Sequence, residues 1–231
     1  MSKRIRLETK LCSAEGNISL LKPIVRRWFD VLQDYCERVP EDRGWWYGER
    51  PQVGFLSVAA WRANAVALEE WGTTKGTGNQ KSRGRNDLWI GLDRRLERHA
   101  FFIEAKHCWC DIHLRRQTWK RRLENCVAAA QRAARRIRIE RDLFFQDQSK
   151  VAAVFVTPFW NETREVGNSR KAAIKAWRQH CLAKMKSGLV ALVVDRADQF
   201  DGNQAKKKAK QQFIGLALFL YEVGKRARPK L

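Results

Sequence analysis

The sequence predicts a single α/β domain, with one central mixed β-sheet flanked by helices. Three observations carry this. Short apolar runs rich in β-branched and aromatic residues alternate with long amphipathic segments. Two of the runs are joined by a charged turn, which makes an antiparallel hairpin, while others are separated by helix-length segments suited to crossovers. No internal repeat and no linker-like stretch divides the 231 residues.

Each element has its own reason. An amphipathic helix runs from about Ile18 to Glu37, with Pro23 in its first turn, where a missing N–H is tolerated. Gly44-Trp45-Trp46-Tyr47-Gly48 reads as a loop. A second helix is expected from about Val53 to Trp71, closed by Gly72. Its residues Leu56, Ala59, Ala60, Ala63, Val66 and Ala67 would share one face, small enough to approach a sheet closely. Gly72 to Arg85 reads as a loop without the Gly-Lys-Ser/Thr ending of a nucleotide-binding P-loop. Strands are expected at Asp87–Leu92 and Ala100–His107, joined by the charged turn Asp93–Arg98. A basic helix follows from about Gln117 to Arg141, burying Leu123, Cys126, Val127, Ala130, Ala134 and Ile137. Then come a strand at Val151–Thr157 halted by Pro158, a helix at Ser169–Met185 and a strand at Leu189–Val194. The last apolar segment, Phe213–Tyr221, is a strand or a short helix. In domain terms, residues 1–52 form a helical extension packed on a core domain of residues 53–231, which ends in a basic tail.

Charge is the most unusual property. Lys and Arg number 46 against 25 Asp and Glu, a formal net charge of +21. Such a chain repels itself when compact and attracts polyanions, which points to a nucleic-acid partner. Disorder does not fit ten Trp and eleven Phe, which need burial. The longest apolar stretch, Phe213–Tyr221, is too short to span a bilayer, so no membrane partner is expected. The N-terminus has no apolar segment behind its basic residues, so the expected location is cytoplasmic. Six scattered cysteines in a chain of this size read as reduced. The cluster His107-Cys108-Trp109-Cys110-Asp111-Ile112-His113 offers zinc-type ligands, but strand alternation would send His107 and the two cysteines to opposite faces.

The chemistry lies in the hairpin. In Phe101-Phe102-Ile103-Glu104-Ala105-Lys106, Phe101, Ile103 and Ala105 share one face, and Phe102, Glu104 and Lys106 share the other. A carboxylate and an ammonium thus project together from an apolar strand, a costly arrangement unless they pair or meet a metal. Asp87 opens the neighbouring strand and brings a second carboxylate toward Glu104. Two converging carboxylates beside a lysine suit a divalent cation and phosphodiester hydrolysis. His99, His107, His113 and His180 stand in no nucleophile frame and read as structural.

Asp87, sixteen intervening residues and then Glu104-Ala105-Lys106 resemble the motif of the PD-(D/E)xK nuclease superfamily, with Asn86 where the name-giving proline would stand. The order of elements from about Val53 to Thr157 is similar as well. The resemblance implies a restriction-endonuclease-like fold and an endonuclease that hydrolyses phosphodiester bonds, DNA above all. It implies Mg²⁺ as cofactor, with Mn²⁺ able to substitute, and Asp87, Glu104 and Lys106 as catalytic residues. It further implies a carboxylate on the helix before the hairpin. Glu69 and Glu70 compete, and Glu70, on the sheet-facing side of the expected helix, is chosen as a further catalytic residue and the third metal ligand beside Asp87 and Glu104. Some members add a glutamine on the following helix, and Gln131 is the candidate. The alternative is a catalytically silent nuclease fold that binds nucleic acid or serves an assembly.

The expected phosphate-binding surface follows the basic helix. Between Arg115 and Arg141 stand ten Lys/Arg and two Glu, and Arg meets phosphate oxygens bidentately. Arg115, Arg116, Arg132, Arg135 and Arg136 are its candidates, joined by Lys206, Lys207 and Lys208 and by the tail from Lys225 to Lys230. No zinc-finger, RNP or helix-turn-helix signature is present, so backbone or shape is read rather than a base code. Trp109, Trp119 and Trp177 stand near basic residues, with the core as their ordinary place. A homodimer is left open.

Overall fold

Among the described residues, nine strands join in one mixed sheet, with two helices on each face. The computed structural model describes residues 7–12, 16–75, 82–94, 97–139, 145, 147–161, 169–183, 188–195 and 211–224. In chain order these form β1 (Leu7–Cys12), α1 (Lys22–Arg38), α2 (Glu49–Arg62), β2 (Val66–Lys75), β3 (Ser82–Arg94) and β4 (Glu97–Asp111). There follow α3 (Arg116–Arg136), β5 (Ile137–Arg138), β6 (Asp147–Asn161), α4 (Arg170–Ala183), β7 (Leu189–Asp195), β8 (Gln211–Phe213) and β9 (Gly215–Val223). Short 3₁₀ turns precede α1 and α2 at Asn17–Leu21 and Gly44–Trp46. The strand order is β1-β7-β9-β6-β4-β3-β2-β5, with β8 pairing β6 beside β9.

Only β4 and β6 are parallel among these pairings, and α3 provides their crossover. Covered on both faces, β6 is buried without a break from Val151 to Phe159, as a central strand should be. Under α1 and α2 lies a core of Trp28, Leu32, Leu56 and Ala59 against Phe101, Ile103, Ala105, Val151 and Phe155. Under α3 and α4 lies a second core, with Trp119, Leu123, Ala130 and Trp177 against Phe102, Cys108, Val154 and Phe219. The alternation expected of the motif strand is therefore observed. The N-terminal residues contribute more than a helix, since β1 pairs with β7 at the sheet edge and α2 runs across residue 52.

Four expectations need correction. The helix expected over Val53–Trp71 ends at Arg62. Asn64 there adopts a left-handed φ of 59°, Ala65 N–H returns to Ala60 O and Asn64 N–H to Trp61 O, a Schellman stop. A strand then begins at Val66, so Glu69 and Glu70 lie on β2 and no helix carries them. Gly72 stops nothing, because β2 continues to Lys75 and β3 begins at Ser82, leaving residues 76–81 outside the described set. The basic helix ends at Arg136 rather than Arg141, where Ile137 and Arg138 turn extended and pair with β2. Pro158 does not halt its strand. It needs no donor where pairing on that side passes from β9 to β8, and its carbonyl takes the Ile214 N–H at 3.0 Å.

Candidate functional site

The hairpin strands part at the motif. β3 and β4 pair from Arg94↔Glu97 to Leu88↔Ile103, and the register stops there. Beyond that point β3 stays with β2, while β4 stays with β6. Asp87 and Glu104, the next residues on each side, stand at the mouth of this fork. Asp87 Oδ2 accepts the Ala105 N–H at 2.6 Å, taking a bond the ladder no longer supplies. On its other side the β2–β3 register passes from Glu69↔Leu88 to Trp71↔Asn86, skipping Glu70 opposite Asp87. Glu70 there adopts φ 53°, a left-handed conformation that L side chains rarely take. Asn86, in the position of the motif proline, is fully buried with neither side-chain polar atom hydrogen-bonded.

Glu104 is buried, and Lys106 is partly exposed. The Lys106 ammonium donates to the Ala105 carbonyl at 2.5 Å and lies 3.6 Å from Glu49 Oε2. Glu49 is the residue that sequence reasoning missed. It opens α2, and the preceding loop holds that helix end over the fork: buried Gln52 donates to Gly44 O at 2.5 Å, and Thr157 donates to Trp45 O at 3.3 Å. Burial pushes the Glu49 carboxyl above its usual range; Lys106 opposes this, while the charges of Asp87 and Glu104 add to it. Glu49 therefore joins the cluster from a helix, whereas Glu70, expected on a helix, lies on β2. The sequence signal was an acid followed by Pro51, both at home in a first helical turn.

Glu70 is drawn elsewhere. Its carboxylate lies 3.6 Å from both Arg50 and Arg85, and its side chain is nearly half exposed. It still lines the cleft of about 230 Å³ formed by Glu49, Arg50, Val53, Glu69, Glu70 and Asp87. Gln131 lies apart from that cleft, in a smaller groove with Leu123, Glu124, Val127, Ala128, Phe219 and Tyr221.

Arg115, Arg116, Arg132, Arg135 and Arg136 are exposed on or beside α3. Lys206, Lys207, Lys208 and the basic tail lie outside the described residues. Trp119 and Trp177 are core residues, whereas Trp109 is only half-buried. All six cysteines are free. Cys108 faces α3, where its thiol is raised by hydrogen bonding with Cys126 and by burial. His107 turns the other way, toward Thr157 Oγ1 at 2.9 Å, and burial lowers its pKa to about 4. The remaining histidines serve packing: His99 bonds Ser149 at 3.0 Å, His113 stacks on Trp160, and His180 packs edge-on against Trp119.

As the side chains stand, no three His, Cys, Asp or Glu among the described residues converge closely enough to hold a metal ion. The donor chemistry fits a hard divalent cation nonetheless, because Glu49, Asp87 and Glu104 offer only carboxylate oxygens and repel one another. No protein-family model, curated protein or solved structure matches the chain.

Proposed function

We propose that this protein is a divalent-cation-dependent nuclease of the PD-(D/E)xK type, hydrolysing phosphodiester bonds, with DNA as the expected substrate. One observation carries the reading. Asp87, Glu104 and Lys106 gather where two strands of the sheet part, and Glu49 is brought to them by the start of α2. A carboxyl held above its usual range by burial and by two neighbouring carboxylates, as Glu49 is, is a strained arrangement that a cation relieves.

Glu49, Asp87 and Glu104 would hold Mg²⁺ or Mn²⁺, which when bound supplies Lewis acidity toward a phosphate oxygen and its water. The chain's own residues do the rest. Lys106 places its side chain at the mouth of the fork, where it can hold charge developing on the scissile phosphate. Asp87 is oriented by the Ala105 N–H, so its free oxygen has one direction. The exposed arginines of α3 hold the strand's phosphates in register.

The second reading, a catalytically silent nuclease fold that binds nucleic acid, is favoured by the lack of a converged ligand trio among the described residues. Plasmid and single-stranded DNA incubated with the purified protein and Mg²⁺ or Mn²⁺ separate the two. Cleavage that chelator removes, and that Asp87→Asn and Glu104→Gln lose, supports the nuclease. Binding without cleavage supports the silent fold. No helix among the described residues is long and apolar enough to cross a membrane.

A further inference from the structure

Three aromatic side chains, Trp46, Phe213 and Trp109, form a surface beside the fork, and the carboxylate cluster does not use them. Tyr47 and Trp46 stand on the loop that leads directly into Glu49, and they are 43% and 36% exposed. The Trp46 ring lies 6.4 Å from Phe213, and Phe213 lies 5.3 Å from Trp109. Trp109 in turn packs edge-on against His107, the residue after Lys106, at 4.4 Å. Phe213 and Trp109 are only partly covered. The aromatic surface therefore joins the two segments that carry Glu49 and Lys106.

The loop presents these rings on a fixed platform. Trp45 is fully buried and anchors it, while Arg43, also buried, donates to Pro40 O at 2.8 Å and Asp42 O at 2.7 Å. Tyr47 and Tyr35 both donate to one Asp42 oxygen, at 2.5 and 2.6 Å. Burial opposes its charge, but the two phenol hydroxyls keep Asp42 ionised. Large rings held rigidly against water are costly unless something covers them. A chain of net charge +21 with exposed arginines along α3 selects a polyanion as that cover. Among polyanions, one with flat apolar faces matches rings. In duplex nucleic acid those faces are stacked and hidden, whereas unpaired bases offer them.

We infer that Trp46, Phe213 and Trp109 form a stacking platform for unpaired bases, so that the strand entering the fork is single-stranded. The fate of that strand rests on the nuclease reading, but the stacking does not. Bases on the platform set their sugar-phosphate chain beside Glu49 and Lys106.

The test is binding in the presence of chelator, where no cation-dependent cleavage can occur. The full chain is titrated with labelled oligodeoxythymidylate, with oligouridylate and with a mixed-sequence DNA duplex. The expected result is single strand bound more tightly than duplex, with quenching of tryptophan fluorescence. Trp46→Ala should weaken single-strand binding by on the order of tenfold, leave duplex binding unchanged, and be largely rescued by Trp46→Phe. Trp46 is a rim residue, and an unchanged circular dichroism spectrum checks the fold; Trp109→Leu, which keeps an apolar side chain but removes the ring, gives a second, independent reading. The two oligonucleotides tell a DNA strand from an RNA strand. Equal affinity for single strand and duplex, or a Trp46→Ala protein that binds single strands as wild type does, would overturn the inference. Failure of cleavage with this binding intact would count against the nuclease reading alone.

Discussion

Glu49 shows how one carboxyl can report on a whole site. Burial and the charges of Asp87 and Glu104 raise its pKa, and Lys106 only partly offsets them. A carboxyl with a higher pKa folded than unfolded favours the fold while protonated in both states, and that contribution is lost as pH rises through its folded pKa. Wild type and Glu49→Gln should thus melt alike in acid, with the variant melting higher at neutral pH; equal melting throughout would contradict the crowding. Mg²⁺ should raise the melting temperature of wild type, since ligands of the folded state stabilise it, and should do so far less for Asp87→Asn. His107 has the opposite sign. Its pKa falls to about 4 through burial, so its contribution is present above the ordinary histidine pKa and is lost as pH drops toward that value. A thermal melt series on His107→Gln should show weaker acid destabilisation than wild type over that window.

At the level of elements, strand alternation was legible because Phe, Ile and Ala on one face cannot be confused with Glu and Lys on the other. The second helix was not. Leu56, Ala59, Ala60, Ala63, Val66 and Ala67 continue a helical period across the Asn64 stop, and only the left-handed Asn64 with its two returning hydrogen bonds breaks it. That misreading put Glu70 on a helix and hid Glu49, which stands before the expected helix start. The fork was also invisible, because parting of β3 from β4 depends on partners distant in sequence. Since Asn64 carries the stop, Asn64→Gly should be near neutral, whereas Asn64→Val should cost about 1–2 kcal/mol by denaturant unfolding. Equal stability of the two variants would mean that the stop lies elsewhere.

Over the whole molecule, the sheet and helices set the site at the fork, and the charge is spread around it. Counterion release makes affinity for nucleic acid fall linearly with the logarithm of salt concentration. Replacing Arg132, Arg135 and Arg136 together should flatten that slope by up to about three units and weaken binding across sequences. A slope unchanged in the triple variant would place the phosphate track away from α3. The composition points to a polyanion partner, but not to where its strand would run, because charge in a sequence has no direction until helices and strands give it one.

The most direct measurement compares cleavage and binding in Lys106→Ala. Lys106 lies 3.6 Å from Glu49 and shares its strand face with Glu104, yet it is one of 46 basic residues. Mg²⁺-dependent cleavage should fall by about a hundredfold or more, while chelator-treated binding to the same oligonucleotide stays close to wild type. A purified Lys106→Ala protein that cleaves at the wild-type rate would contradict the assignment of the fork as the reactive centre.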